Sequence, residues 1–168
     1  MNPDPLTSSS VTTAWVVVAN KPFYPLYVWW FVGSGVQTSL WTLLALPLFA
    51  ALPLLARRAP KAARMGLPLA GAADSVFSTL MFGESSGVEA FLAPCAALAA
   101  LSFRASEAWT ARVLTALMFA IFAGLRFAAP AGAFPWPPAA QPAIVNLNLY
   151  CVASLLAFIG LRFASARG

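Results

Sequence analysis

The chain has 168 residues, 61% hydrophobic and 9% charged, with a formal net charge of +5 and no histidine. An ordinary soluble domain is about half apolar and a quarter charged, so with a mean hydropathy of +0.79 this composition excludes a water-soluble globular protein. At about 20 residues per helical crossing the length leaves room for about six spans and none for a separate soluble catalytic domain.

Residue types exclude more. Without histidine the usual haem ligand, the commonest metal ligand and the near-neutral proton shuttle are missing. Two cysteines cannot build a four-cysteine metal or iron–sulfur centre. The chain is therefore expected to be non-enzymatic and without a metal or dedicated cofactor, while a bound lipid or pigment stays compatible with it.

In chain order, the N-terminal residues carry no basic region ahead of their apolar ones, unlike a cleavable signal peptide, and Val11–Ala19 is too short to cross. Residues 1–20 are expected as a periplasmic tail or a strap on the membrane surface, and residues 21–168 as a five-span helical domain. The aromatic run from Phe23 to Phe31 then leads through Gly33-Ser34-Gly35 into the first uncharged stretch, Val36–Ala56. Either the glycines bend an interfacial segment into that span, or both belong to one long tilted helix. Met65–Phe82, Val88–Phe103, Trp109–Ala129 and Ile144–Phe163 follow as apolar runs. The third is short, and Arg104 at its end can snorkel. Between the last two, Pro130-Ala131-Gly132-Ala133-Phe134-Pro135-Trp136-Pro137-Pro138 cannot hold a helix and reads as a stiff, uncharged cap over one face. The near-repeat of Phe122–Ala128 in Phe158–Ala164 reflects a shared Gly/Leu/Phe vocabulary.

Lys and Arg are retained on cytoplasmic flanks. Five spans with the N-terminus outside and the C-terminus cytoplasmic place Arg57, Arg58, Lys61, Arg64, Arg104, Arg112, Arg162 and Arg167 inside, leaving Lys21 and Arg126 outside. The fold expected is thus an all-α, five-span integral membrane bundle of the bacterial inner membrane, whose positive charge encodes topology and not nucleic-acid binding.

Several residues stand out within this frame. Asp74 is the one acid in the middle of a span, where a carboxylate costs a few kcal/mol and marks a function or a buried partner. It is either a proton or ion site, or a structural acid held by Arg126 or Asn146; an isolated acid makes a poor relay, which favours the structural reading. Ala116, Ala120 and Gly124 make a small-residue packing stripe of the kind that lets helices approach in lipid, and Asn146 and Asn148 are placed to glue helices together. Trp29, Trp30, Trp41, Trp109 and Trp136 fit an interfacial belt. Cys95 and Cys151 fall at similar depth, and contact between them is left open.

The turn Gly83-Glu84-Ser85-Ser86-Gly87-Val88-Glu89, read with Met81-Phe82 before it and Ala90-Phe91-Leu92-Ala93-Pro94-Cys95 and Phe103-Arg104 after it, resembles the N-terminal membrane sensor modules of bacterial histidine kinases and nucleotide cyclases. That resemblance implies a last span running into a cytoplasmic signalling helix and an output domain; ending at Gly168, the chain would be a stand-alone relative or a fragment. Lys21-Pro22-Phe23-Tyr24-Pro25 is a loose echo of the Lys-Pro-Trp-Trp segment of the tryptophan-rich sensory protein family, which the remainder does not follow.

Lacking readable catalytic chemistry and rich in apolar surface, the chain is first expected to be an accessory subunit packed by other integral membrane subunits of a larger photosynthetic or respiratory complex. The alternative is a sensory module acting through a partner kinase or cyclase, with Gly83, Glu84, Gly87 and Glu89 forming a ligand-binding outer turn. A small-molecule transporter ranks third.

Overall fold

A computed structural model describes residues 4–167, apart from the Arg167 side chain. The expectations for the first three residues, for Arg167 as a flanking base and for Gly168 lie outside the described residues. All regular structure among the described residues is helical: α1 (Pro5–Asn20), α2 (Tyr24–Phe31), α3 (Val36–Ser39), α4 (Leu46–Arg58), α5 (Pro60–Phe82), α6 (Leu92–Leu101), α7 (Ala108–Ala128) and α8 (Gln141–Arg167), linked in places by 3-10 turns. Val36–Arg58, Pro60–Phe82, Ala105–Ala128 and Pro138–Ala166 are long and apolar enough to cross a membrane, and Val88–Leu101 is a shorter apolar helix. These are the five apolar runs of the sequence, three of them starting a few residues earlier than hydropathy places them. α5, for example, begins at Pro60, because proline suits a first turn whose amide has no partner anyway.

Residues 5–31 form two helical pieces joined by a tight turn. The Asp4 carboxylate caps α1 by accepting from the Thr7 amide at 3.4 Å and the Thr7 hydroxyl at 3.1 Å. A single 3-10 turn, Lys21–Phe23, then carries the chain into α2. Pro22 and Pro25 lack amide donors, and the tightened turn accommodates them at the starts of its two helical pieces. The bend comes afterwards, at Gly33 (φ +74°) and Gly35 (φ +72°), left-handed conformations that favour glycine. α2 and the Val36–Arg58 stretch are therefore separate elements.

The core shows where this first leg runs. Leu6 and Ala14 of α1 pack with Phe49, Leu67, Leu98 and Phe163, while Val28 of α2 packs with Phe82, Val88, Trp136 and Ile144. α1–α2 thus runs alongside α5 from one end of the bundle to the other. At the first end, Arg104 Nη2 lies 2.6 Å from Asp4 Oδ1, and Asp4, Arg104, Arg112 and Ala166 line one groove. Residues 4 and 166 therefore share the end that carries most of the basic residues. The physical reason is the helical leg supplied by residues 5–31.

The opposite end is closed by the proline-rich loop. Amides of Ala133 and Phe134 donate to the carbonyls of Leu80 (2.9 Å) and Met81 (2.7 Å), and the Glu84 amide donates to the Pro130 carbonyl (3.0 Å). The first two bonds satisfy carbonyls that the end of α5 would otherwise leave without partners. Trp136, expected in the aromatic belt, is 3% exposed and meets Phe82 edge to face at 6.0 Å; the other belt tryptophans, Trp29, Trp30, Trp41 and Trp109, are exposed. Gly132 (φ +85°) lies so close to the Phe82–Gly83 backbone that a Cβ would collide with it, whereas a Cβ on Gly124 meets nothing within 4 Å. Gly132→Ala is accordingly expected to cost about 1–3 kcal/mol, read as a lowered thermal midpoint of the detergent-purified protein. Gly124→Ala leaves that midpoint unchanged or slightly raised, because alanine is the better helix former.

Candidate functional site

Between α1–α2, α5, α6 and α8 lies a cavity of about 490 Å³. Its walls are mainly apolar and aromatic, and into it project Lys21 and Asp74. Lys21 Nζ lies 2.9 Å from Asp74 Oδ1, with side chains 11% and 19% exposed, and donates a second hydrogen bond to the Thr42 carbonyl. Lys21 sits on the 3-10 turn between α1 and α2, Asp74 in the middle of α5 and Thr42 in the 3-10 stretch Leu40–Ala45. Three helical legs thus meet at one ammonium. Desolvating two charges is compensated only where they are paired and further hydrogen-bonded, and this geometry supplies both conditions.

The partner of Asp74 is therefore Lys21, not Arg126 or Asn146. Arg126 lies at the cap end, where it pairs with Glu84 and, at 3.4 Å, with Glu89; Asn146 is exposed. Sequence reasoning missed the pair because it placed Lys21 on the outer flank, ahead of the first span. A helix over residues 5–31 would have put Lys21 well along a leg, and an acid and a base at mid-leg are natural partners.

The Gly83–Glu89 turn is a packed joint. Gly83 (φ +84°) and Gly87 (φ +69°) shape it, and the Pro130–Phe134 segment covers it through the main-chain bonds described above. Asn148, fully buried, donates from Nδ2 to the Ser86 carbonyl and accepts at Oδ1 from the Tyr24 hydroxyl, both at 2.9 Å. One amide thereby ties α8 to the turn and to α2. Glu84 and Glu89, expected as outer ligand contacts in the sensory reading, face Arg126 instead.

At the basic end Arg64, 5% exposed, makes a fork with Glu107 at 2.8 and 3.0 Å and donates to the Ser102 carbonyl at 2.9 Å. No sequence signal distinguished this arginine from its topological neighbours. Burial pushes the Asp4 carboxyl up, but bonds from Arg104 and Thr7 outweigh it and hold it below the ordinary carboxylate range. A lowered value in the folded state means the contact contributes fully at neutral pH and is lost only as acid protonates that carboxylate.

Ala116, Ala120 and Gly124 lie on an exposed face of α7. That helix packs inward through Leu114 and Met118 instead, so the stripe makes no intrachain packing seam. Cys95 and Cys151 are both free and both line the cavity.

The family model MASE7 matches residues 9–166. No curated protein and no solved structure matches the chain. The match spans most of the first helical leg, the Lys21–Asp74 cavity, the cap and nearly all of α8, and the chain belongs to MASE7, a family of membrane-associated sensor domains.

Proposed function

We propose that this chain is a sensory module of the bacterial inner membrane that receives a signal within the bilayer and passes it to a cytoplasmic signalling partner of the kinase or cyclase class. The observation that carries the reading is the family match over residues 9–166, which favours the sensory reading over that of an accessory subunit in a larger complex. Sensor domains of this kind are in general non-catalytic, and the module's work is binding and transmission. The Lys21–Asp74 cavity is its input, and the end bearing Arg57, Arg58, Lys61, Arg104 and Arg162 is its output.

Orientation follows from charge. Cytoplasmic flanks retain Lys and Arg, so the basic end faces the cytoplasm with residues 4 and 166 together, and the Trp136 cap faces the periplasm. This orientation takes residues 5–31 as a sixth crossing.

Deleting the chain is expected to change a transcriptional or second-messenger response while every respiratory or photosynthetic complex keeps its abundance. Loss of one such complex with no signalling change would favour the accessory-subunit reading. Orientation is checked in a variant lacking both native cysteines, by labelling intact cells with an impermeant thiol reagent. Cysteines placed at Pro5 and Lys61 should react only after permeabilisation, and one at Ser85 should react before it. Opposite behaviour of Pro5 and Lys61 would return the first leg to a surface strap.

A further inference from the structure

We propose that the cavity binds an amphipathic carboxylic acid, its carboxylate taking the place of Asp74 on the Lys21 ammonium and its apolar body lying among Tyr27, Phe31, Phe91 and Phe158. The inference rests on the sensory reading above and names the ligand class its input takes.

Volume and lining fit first. About 490 Å³ falls inside the range of about 300–1,000 Å³ of small-molecule sites, which pair apolar walls with a few converging polar groups. The four aromatic side chains line the cavity together with Lys21 and Asp74. Lys21 and Asp74 are its only side chains with a formal charge at neutral pH among the described lining residues.

Asymmetry within the pair selects the sign of the ligand. Lys21 is held twice, by Asp74 and by the Thr42 carbonyl, and an ammonium has three donors. If Asp74 is displaced, the cation stays anchored to the main chain and has donors to offer a new anion. Asp74 has no such second anchor nearby. The Ser75 hydroxyl donates to the Gly71 carbonyl at 2.8 Å and the Thr79 hydroxyl to the Ser75 carbonyl at 2.7 Å, so both are committed to the α5 backbone. Ser78, one helical turn beyond Asp74, lines the cavity and can accept from a released carboxyl. The site thus holds a fixed cation and a replaceable anion.

Charge balances if the ligand enters from the bilayer as the neutral acid. Its O–H bond breaks, the proton passes to a carboxylate oxygen of Asp74, and the resulting carboxylate accepts from Lys21 Nζ. The cavity is neutral overall before and after. What changes is that α5 is no longer tied to the α1–α2 leg.

The test uses the purified full chain in detergent and three radiolabelled probes of equal chain length: lauric acid, dodecylamine and dodecanol. Saturable binding is expected for lauric acid ahead of the other two. Lys21→Met should weaken it by about tenfold or more, the usual effect of removing a charged hydrogen-bond donor. Asp74→Asn, which removes the competing anion, should leave lauric acid affinity unchanged or tighter. Arg112→Gln, at the basic end and away from the cavity, should change nothing. Because Lys21→Met can fail to fold, the Asp74→Asn arm decides independently, with each variant first shown to be monodisperse. Preference for dodecylamine, with binding lost in Asp74→Asn, would overturn the proposal in favour of a cation site. Equal binding of dodecanol, or no saturable binding of any probe, would overturn it as well. Failure here beside a signalling defect in the deletion strain removes the ligand class and leaves the sensory reading standing. Lauric acid binding without any such defect does the reverse.

Discussion

An ammonium and a carboxylate 2.9 Å apart inside an apolar bundle tolerate little displacement, because either one alone would be an unpaired charge in a medium that solvates it poorly. The Lys21–Asp74 contact therefore fixes the depth at which α1–α2 sits against α5. With the Thr42 carbonyl as third member, it also places the 3-10 stretch ahead of α4. Van der Waals contacts between alanine- and leucine-rich faces could slide by a turn at modest cost, since apolar helix surface gains little over lipid. A buried ion pair cannot, so it sets the register that the apolar clusters then fill.

Both ends of the bundle carry side-chain ion pairs, Arg126 with Glu84 and Glu89 at the cap and Asp4–Arg104 and Arg64–Glu107 at the basic end, and they differ in the main-chain bonds that accompany them. At the cap, main-chain bonds from Ala133 and Phe134 to the last carbonyls of α5 and the Asn148 bridge join the loop, the Gly83–Glu89 turn, α2 and α8. Such contacts have little freedom to rearrange. At the basic end the Arg64–Glu107 pair is largely buried, and the Asp4–Arg104 pair is the more exposed one, with Arg104 60% exposed. On the proposed function, the Lys21–Asp74 pair is the buried contact whose release would free the first leg from α5.

Much of this was legible in the sequence. Uncharged runs located the long apolar stretches because lipid forces span length and composition together, and the prolines of residues 130–138 announced the cap. The first leg was not legible because hydropathy counts Ser and Thr as polar. In α1 the hydroxyls of Ser10, Thr12 and Thr13 bond back to the carbonyls of Leu6, Ser8 and Ser9 at 2.9–3.0 Å, which lets a Ser/Thr-rich helix bury its face. Missing that leg misplaced Lys21, and with it the partner of Asp74. The outward Ala116–Ala120–Gly124 stripe was opaque for another reason: in an alanine-rich chain, four-residue spacing does not say which face turns inward. Asn148 was legible as glue, but which groups it joins depends on contacts between residues far apart in sequence.

A double-mutant cycle on Lys21 and Asp74 tests the central claim most directly. Unfolding free energy would be measured in mixed micelles for Lys21→Met, Asp74→Leu and the double variant. Each single change leaves one buried charge unpaired and should cost up to about 3–5 kcal/mol, while the double variant, with no charge left in the cavity, should recover most of that loss. Costs that simply add, or an Asp74→Leu variant as stable as the parent, would show that the pair does not hold the bundle in register and would contradict the account.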